Sequence, residues 1–233
     1  MNQVYFQDLG KMEYQQAWDL QTKLFEEILA IKAENRNKPP SEMVETQHHL
    51  LFCEHPPVYT LGKSGSEDHL MISEAELKQK GISFFHNNRG GDITFHGPQQ
   101  IVGYPILDLE KFRTDIGWYM RSLEEVMINT LAEYDIMAGR LPKYTGVWIE
   151  PDSPRARKIC AFGVKCSRWT TMHGWAFNVN TDLDYFNFII PCGISDKAVT
   201  SMAKELGYSL PFEEVKLAVK RNFEKVFECE LLG

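Results

Sequence analysis

Apolar side chains recur at helical spacing in three long stretches of the chain. The spacing predicts helices over residues 12–35, 115–134 and 212–227. In the first stretch the apolar face carries Tyr14, Trp18, Phe25, Ile28 and Leu29, with charged residues between them. Ser73 and Glu76 match a capping box and predict a further short helix that ends before Gly81.

Apolar runs bounded by Gly, Pro and polar residues predict the strands. They cover residues 49–54, 58–61, 82–86, 93–95, 103–107, 146–150, 158–165 and 175–179. Strands and helices are mixed without regular alternation, which favours an α+β fold, a mixed β-sheet flanked by helices, over a doubly wound one. Because no repeat, low-complexity tract or linker interrupts the chain, residues 1–233 are expected to form a single catalytic domain.

Composition is that of a folded protein, with 43% hydrophobic and 24% charged residues. A formal charge of −7 argues against nucleic acid as a partner. No apolar run approaches the roughly 18 residues that span a bilayer, and the first residues do not resemble a signal peptide. A cytoplasmic location without membrane contact is therefore expected. One basic cluster offers a contact for an acidic partner, although a solvated loop and strand edge explains it equally well. It consists of Arg155, Arg157, Lys158, Lys165 and Arg168.

The cysteines are odd in number, widely scattered and form no CxxC pair. They are Cys53, Cys160, Cys166, Cys192 and Cys229. The histidines do not fall at zinc-ligand spacing relative to them, so neither a disulfide framework nor a metal site is expected. Each free thiol is either a small core side chain, which is the commoner case, or a nucleophile.

Residues 88–98, NRGGDITFHGP, depart from what packing alone requires. The adjacent glycines Gly90 and Gly91 weaken a strand and mark a place where the backbone bends or a ligand approaches closely. If the segment is extended, Thr94 and His96 share one face near Arg89. A hairpin turn with a hydrogen-bonded histidine is the structural alternative.

Cys192 lies between Pro191 and Gly193, after the apolar strand-like run 186–190. This setting predicts a tight turn in which glycine leaves room for a substrate carbonyl and its N–H can face a developing oxyanion. A thiol needs a base or a positive neighbour to become a reactive thiolate. Lys158 can supply either if its side chain is drawn toward the interior, where burial favours the neutral amine. An exposed lysine at the start of a strand is the commoner arrangement.

Cys160 is the competing nucleophile, because a regular strand would place it on the same face as Lys158. We prefer Cys192, since Cys160 lies inside an apolar strand where a core thiol is the default. Residues 171–180 add His173 and Gly174 at the mouth of a strand that ends in asparagines. This pattern favours a pocket wall, although turn chemistry explains the asparagines equally well.

Together these segments resemble the lipoyl(octanoyl) transferase family. The matching pieces are RGGDITFHGPQQIVGYPILDL (89–109), TGVWI (145–149), KICAFGVK (158–165) and HGWAFNVNTDLDYFNFIIPCGI (173–194). Each piece alone is weak, but the ordered set is specific and covers most of the middle of the chain. One departure is visible: family members commonly read HGPGQ where this chain has HGPQQ, so Gln99 removes a permissive backbone position.

The resemblance implies the α+β fold of the lipoate–protein ligase and biotin–protein ligase catalytic domains. It also implies transfer of an octanoyl or lipoyl group from acyl carrier protein to a lysine of a lipoyl domain through a cysteine thioester, an early step of protein lipoylation. The implied acceptors are the lipoyl domains of 2-oxoacid dehydrogenase complexes and the glycine cleavage H protein. No cofactor is implied.

By the same resemblance, Cys192 and Lys158 correspond to a catalytic dyad. The residues that correspond to the substrate-binding segments are Arg89, Gly90, Gly91, Asp92, Ile93, Thr94, Phe95, His96, Ala161, Phe162, Gly163, Gly174, Trp175 and Ala176. His173 is a further pocket candidate.

Two other functions remain open from the sequence. An ATP-dependent lipoate–protein ligase of the same fold would make an acyl-adenylate and need no nucleophilic cysteine, which the Pro-Cys-Gly segment argues against. A non-catalytic module that binds acyl carrier protein or lipid would leave Cys192 merely buried.

Overall fold

The computed structural model describes residues 1–190 and 198–233. The predicted nucleophile Cys192 and its neighbours Pro191 and Gly193 lie outside the described residues. The strands of the described part are β1 (Asn2–Lys11), β2 (His48–Glu54), β3 (Val58–Leu61), β4 (Ser83–His86), β5 (Ile93–His96), β6 (Gln100–Ile106), β7 (Ala138–Leu141), β8 (Tyr144–Ile149), β9 (Arg157–Ser167), β10 (Thr170–Asn178), β11 (Ala198–Val199) and β12 (Cys229–Leu232). The helices are α1 (Tyr14–Asn35), α2 (Glu74–Lys80), α3 (Ile116–Ala132), α4 (Met202–Leu206) and α5 (Phe212–Phe227).

The strands form a large and a small sheet, both mixed. The large sheet has the order β12-β1-β2-β6-β10-β9-β8-β7, with β11 also paired to β9. Its β1 is parallel to β2 and β12, whereas β2, β6, β10, β9, β8 and β7 pair antiparallel in succession. The small sheet has the order β4-β3-β5. The predicted α+β fold with a mixed sheet flanked by helices is confirmed.

Helices cover the two faces of the large sheet. On one face, α3 and α5 pack together over β10, with Leu123, Met127 and Phe223 fully buried in one cluster with Trp175. On the other face, α1 buries Phe25 and other apolar side chains against β2 and β6. Each such large apolar side chain stabilises the fold by roughly 1.5–3 kcal/mol. That residues 1–233 form a single domain stays a prediction.

Strands β1 and β12, which lie at one end of the large sheet, were not predicted from the sequence, and neither were β7 and β11. In β1 only Val4 is fully buried, so the alternation that identifies a half-buried strand is missing. The strand is held by backbone pairing to β2 and to β12, which is only four residues long and follows α5 directly. Pairing between distant parts of the chain, rather than a local pattern, creates this edge.

The strand-like run predicted over residues 186–190 is wrong in its first half. Leu183–Phe188 forms a 3₁₀ turn instead. It begins where the side chain of Asp182 accepts the N–H of Asp184 at 3.0 Å, so a local cap outweighs the apolar pattern. Leu70 forms an isolated antiparallel bridge with Ile189 immediately after the turn, and Ile189 packs in the apolar cluster of the small sheet.

Candidate active site

A cavity of about 400 Å³ lies where the loop between β4 and β5 meets the middle of β9 and β10. This volume is typical of small-molecule sites, which span roughly 300–1,000 Å³. Of the residues predicted from the sequence, those in its lining are Arg89, Gly90, Gly91, Asp92, Ile93, Thr94, His96, Lys158, Ala161, Phe162, Gly163, His173, Gly174, Trp175 and Ala176. Lining residues that were not predicted are Tyr14, Gln100, Tyr104, Met120, Lys143, Tyr144, Thr145, Ile159, Val164, Asn178, Phe186 and Val199.

Glycines allow the loop before β5 to dock against β9. The N–H of Gly90 donates to the carbonyl of Val164 at 2.9 Å, and Gly91 has a φ of +83°. A Cβ on Gly163 would lie 2.8 Å from the Cδ of Arg89, and one on Gly62 only 2.3 Å from the carbonyl of Gly91. Side chains at these positions would push the loop off the sheet, so the close approach inferred from the paired glycines is present.

Arg89 and His96 are joined through Thr60 of β3. Nη2 of Arg89 donates to Oγ1 of Thr60 at 2.9 Å, and the Thr60 hydroxyl donates to Nε2 of His96 at 3.2 Å. Nδ1 of His96 then donates to Oε1 of Gln100 at 3.1 Å. Burial lowers the pKa of His96 well below its ordinary value, so the ring is neutral with its proton on Nδ1.

Gln100 and Asn178 extend this hydrogen-bond chain to the strand that carries Lys158. Nε2 of Gln100 donates to Oδ1 of Asn178 at 2.9 Å, and Nδ2 of Asn178 donates to the carbonyl of Thr200 at 3.0 Å. The N–H of Thr200 in turn donates to the carbonyl of Lys158 at 2.9 Å. The sequence did hold a signal for Gln100 and Asn178, because each lies inside a matched family segment.

His173 lies at a kink in β10, with a φ of +59° that costs a non-glycine residue about 1 kcal/mol or more. Its Nε2 donates to Oδ1 of Asn88 at 2.7 Å, and its backbone N–H donates to Oε1 of Gln21 at 3.1 Å. Burial, assisted by the positive charge of Arg89, lowers the pKa of His173 to about 3. At the next residue only glycine fits, because a Cβ on Gly174 would lie 2.1 Å from a carbonyl oxygen of β6.

Three tyrosines of the lining, Tyr14, Tyr104 and Tyr144, were missed from the sequence, and the first two contact buried histidines. The hydroxyl of Tyr104 donates to Nε2 of His55 at 2.6 Å, since Nδ1 of His55 donates to the carbonyl of Met12 at 2.7 Å. Tyr14, from the start of α1, stacks on His96 with ring centroids 6.1 Å apart. No local pattern distinguishes Tyr14 from the other apolar residues of its helix face.

Lys158 is buried beside the cavity, with 9% of its surface exposed. Its Nζ lies 4.8 Å from the ring centroid of Trp148, a cation–π contact. Its Cε packs against Gly146, where an added Cβ would lie only 3.1 Å away. Val199 of β11 pairs with Lys158 along the backbone and also lines the cavity. Lys158 therefore turns toward the interior, as one of the two alternatives expected, and is not an exposed lysine at the start of a strand.

Cys160 does not share a face with Lys158, contrary to the expectation for a regular strand. Val147 pairs with Cys160 and Trp148 pairs with Lys158, so Ile159 is an extra residue in β9 and forms a β-bulge. The bulge turns Lys158 toward the cavity and leaves Cys160 fully buried in the core beneath α3 and α5. Burial raises the pKa of the Cys160 thiol well above its ordinary value. These observations disfavour Cys160 as a nucleophile.

Phe95 is the one described residue of the predicted binding set that lies outside the cavity lining. Its ring stacks on Tyr185 with centroids 4.5 Å apart and packs against Tyr59 in the core of the small sheet. Alternation along β5 explains this placement, because Thr94 and His96 face the cavity and Phe95 must face away.

Residues on both sides of the segment that contains Cys192 are anchored at the cavity. Phe186 lies in the lining, and the N–H of Ile190 donates to the carbonyl of His69 at 2.8 Å. After the segment, Val199 lies in the lining beside the paired Lys158. The prediction for Cys192 itself lies outside the described residues.

Gln99, the departure from the family pattern, takes the left-handed conformation that glycine would favour, with a φ of +61°. Its N–H donates to Oε2 of Glu54 at 2.7 Å, and its Oε1 accepts from Nδ2 of Asn180 at 2.8 Å. Its carbonyl accepts from Asn180 and Thr181. These contacts offset a backbone cost of about 1 kcal/mol.

The basic cluster at residues 155–168 is partly neutralised by acidic neighbours. Nε of Arg157 donates to Oε1 of Glu205 at 2.7 Å, and its Nη1 lies 2.9 Å from Oε1 of Glu150. Arg155 pairs with the other oxygen of Glu150 at 2.9 Å. These pairs tie β9 to α4, and docking of an acidic partner at the cluster stays a prediction.

We expect the protein to lose stability in mild acid because several histidines are buried in the neutral form. Burial lowers the pKa of His48 and His55 to about 4, and that of His173 to about 3. In the unfolded chain these groups bind protons below about pH 6.5. The free energy of unfolding is therefore retained above pH 6.5 and falls as the pH drops toward 4, by roughly 2 kcal/mol per histidine between pH 6.5 and 5.

Urea unfolding at pH 7 and pH 5 checks this expectation. His55→Gln should reduce the difference in unfolding free energy between pH 7 and pH 5 by the contribution of one histidine. His86→Gln, which changes an exposed side chain at 60% exposure, serves as the control and should leave the difference intact. Equal unfolding free energies at the two pH values in the unsubstituted protein would contradict the expectation.

The class of this protein is defined by the family to which its sequence belongs. The chain matches the family described as lipoyl protein ligase A/B catalytic domain over residues 13–224, and it belongs to that family. A solved structure of an archaeal lipoylation system from Thermoplasma acidophilum, a bi-partite lipoate protein ligase and its E2 lipoyl domain, contains a similar chain. The TM-score is 0.70 at 16% identity, covering 100% of this chain and 86% of that one. A biotin protein ligase from Aquifex aeolicus gives a TM-score of 0.52 at 14% identity, over 97% of this chain and 70% of that one.

The closer likeness is to octanoyltransferases. The octanoyltransferase of Cytophaga hutchinsonii is 53% identical over 229 residues, which are 98% of this chain and 94% of that protein. The chain therefore belongs to the octanoyltransferases of the family, and the resemblance found in the sequence is confirmed. No helix among residues 1–190 and 198–233 is long and apolar enough to cross a membrane.

Proposed function

We propose that this protein transfers an octanoyl or lipoyl group from acyl carrier protein to a lysine of lipoyl domains, through a thioester on Cys192. The observation that carries the proposal is the position of Lys158, a buried amine at a cavity whose lining also includes Phe186 and Val199, one on each side of the cysteine segment. Octanoyltransferase is also the name of the relative that is 53% identical. Both facts support an acyl transferase with a lysine beside its nucleophile.

In the first half-reaction, Nζ of Lys158 accepts the thiol proton of Cys192, and the thiolate attacks the carbonyl carbon of the octanoyl thioester. The bond to the phosphopantetheine sulfur breaks as the tetrahedral intermediate collapses. Lys158 returns its proton to that sulfur, so the amine is neutral again. One thioester replaces another, and no activation by ATP is needed.

In the second half-reaction, the acceptor lysine of a lipoyl domain attacks the thioester on Cys192. Neutral Lys158 takes a proton from the attacking amine, and the Cys192 sulfur leaves as a thiol after reprotonation. An amide replaces a thioester, which is downhill and drives the transfer. The acceptors are lipoyl domains of 2-oxoacid dehydrogenase complexes and the glycine cleavage H protein.

The binding roles follow from the cavity walls. Gly90 and Gly91, together with the Ala161–Phe162–Gly163 and Gly174–Trp175–Ala176 segments, line the slot that we assign to the acyl chain. Arg89, His96 and His173 stiffen one end of the slot, because their polar groups are engaged with protein partners.

The test combines octanoyl-acyl carrier protein, an isolated lipoyl domain and the protein, with and without ATP, followed by intact mass spectrometry. We expect the lipoyl domain to gain one octanoyl group at the same rate in both reactions. Without the acceptor, the enzyme should carry one octanoyl group that neutral hydroxylamine removes. Transfer that requires ATP and free acid would indicate a ligase, and absence of transfer would indicate a binding module.

A further inference from the structure

Glu124 of α3 is a buried carboxylate outside the cavity lining, with its side chain fully inaccessible to solvent. Its Oε2 lies 2.6 Å from Nη1 of Arg121 and 2.9 Å from Nε of Arg140. A buried carboxylate is tolerated only when it is paired in this way. Its second oxygen, Oε1, accepts the backbone N–H of Gly146 in β8 at 3.1 Å.

Gly146 lies in β8 where this strand parts from β9. Val147, Trp148 and Ile149 pair with β9, whereas Gly146 does not, although Tyr144 still pairs with Leu141 of β7. Gly146 has a φ of +144°, a conformation that favours glycine. Its N–H is therefore satisfied by the side chain of Glu124 at the point where β8 parts from β9, next to Thr145 in the cavity lining.

The same glycine confines the side chain of Lys158. A Cβ added at position 146 would lie 3.1 Å from Cε of Lys158 and 3.1 Å from Nε1 of Trp148. The lysine stem thus runs along the backbone of Gly146 toward the indole ring, over which its Nζ lies. A shift of the Gly146 backbone would move one wall of the site that holds the amine.

We propose that Glu124 is a positioning residue for the acyl transfer: by holding the N–H of Gly146 it fixes β8 at this glycine against Lys158 and keeps Nζ where it exchanges its proton. The inference rests on the proposed role of Lys158. Displacement of a reacting group by about 1 Å can cost up to about 100-fold in rate, so one hydrogen bond at this point matters.

Glu124→Leu removes the acceptor, whereas Glu124→Gln retains an oxygen that can accept the Gly146 N–H. We expect Glu124→Leu to lower kcat for transfer by about tenfold, with KM for octanoyl-acyl carrier protein changed by less than about twofold. Glu124→Gln should recover most of the rate. The matched control is Glu125→Leu, which removes the neighbouring carboxylate that pairs with Arg140 and should leave kcat unchanged.

A double-mutant cycle separates positioning from general destabilisation. In a Lys158→Met background, Glu124→Leu should change the residual rate by less than about twofold, because the residue acts through Lys158. An equal loss of rate in both backgrounds, or full activity of Glu124→Leu, would overturn the inference. If Glu124→Leu does not fold, Glu124→Asp replaces it in the same cycle, because the shorter carboxylate keeps its charge for the two arginines but withdraws from the Gly146 N–H. The same two outcomes would overturn the inference. If Lys158→Met itself is fully active, the proposed function fails instead.

Discussion

Cys192→Ser should form its acyl-enzyme at least about 10³-fold more slowly than the unsubstituted protein, and overall transfer should fall by the same factor. A thiol is partly ionised near neutral pH and is intrinsically nucleophilic, whereas a serine hydroxyl depends wholly on an adjacent base. Any adduct that Cys192→Ser does form is an oxygen ester, which resists neutral hydroxylamine. Intact mass after incubation with octanoyl-acyl carrier protein, with and without hydroxylamine, measures both properties.

The other thiols provide matched controls. Cys166→Ser changes an exposed cysteine and should leave acyl-enzyme formation unchanged. Cys160→Ala tests the competing nucleophile and should retain the adduct, because that thiol is buried in the core and its pKa is raised. A hydroxylamine-sensitive adduct of normal yield in Cys192→Ser would exclude Cys192 as the acyl carrier.

The α+β fold was predictable because its central elements carry strong local patterns. Helix α1 was predicted to within a few residues from one apolar face, and the cap at Ser73 was predicted from two residues. Strand β1 escaped prediction because it is stabilised by pairing with strands from the middle and the end of the chain. Local periodicity carries no information about such pairing.

The candidate site, like the fold, was predicted only in part from the sequence. The segments that line the cavity were found from glycines and family-like motifs, but the relation between Lys158 and Cys160 was predicted wrongly. Ile159 is an extra residue in β9 and forms a β-bulge opposite β8, so Lys158 and Cys160 point to different faces. The bulge depends on how β9 pairs with β8, which the sequence of β9 alone does not reveal. Tyr14 and Met120 were missed because their contact with the cavity depends on how helices α1 and α3 pack in the fold. No local sequence pattern marks that contact.

Lys158→Arg should separate the two half-reactions. A guanidinium keeps the positive charge that stabilises a thiolate but cannot accept a proton near neutral pH. The acyl-enzyme should therefore still form, at a reduced rate, while its transfer to the lysine acceptor slows by about 10²-fold or more, the usual contribution of a general base. Single-turnover experiments that follow the enzyme and the lipoyl domain by intact mass would show the acyl-enzyme accumulating.

Lys158→Met removes both charge and base from the same cavity wall, so both half-reactions should slow. The matched control is Lys165→Arg on the same strand, whose Nζ lies 4.6 Å over the ring of Phe25 and which is not part of the lining. That variant should behave like the unsubstituted protein. Full activity of Lys158→Arg in both half-reactions would remove the lysine from proton transfer. The bulge at Ile159 and the confinement of the side chain by Gly146 and Trp148 would then have only a structural role.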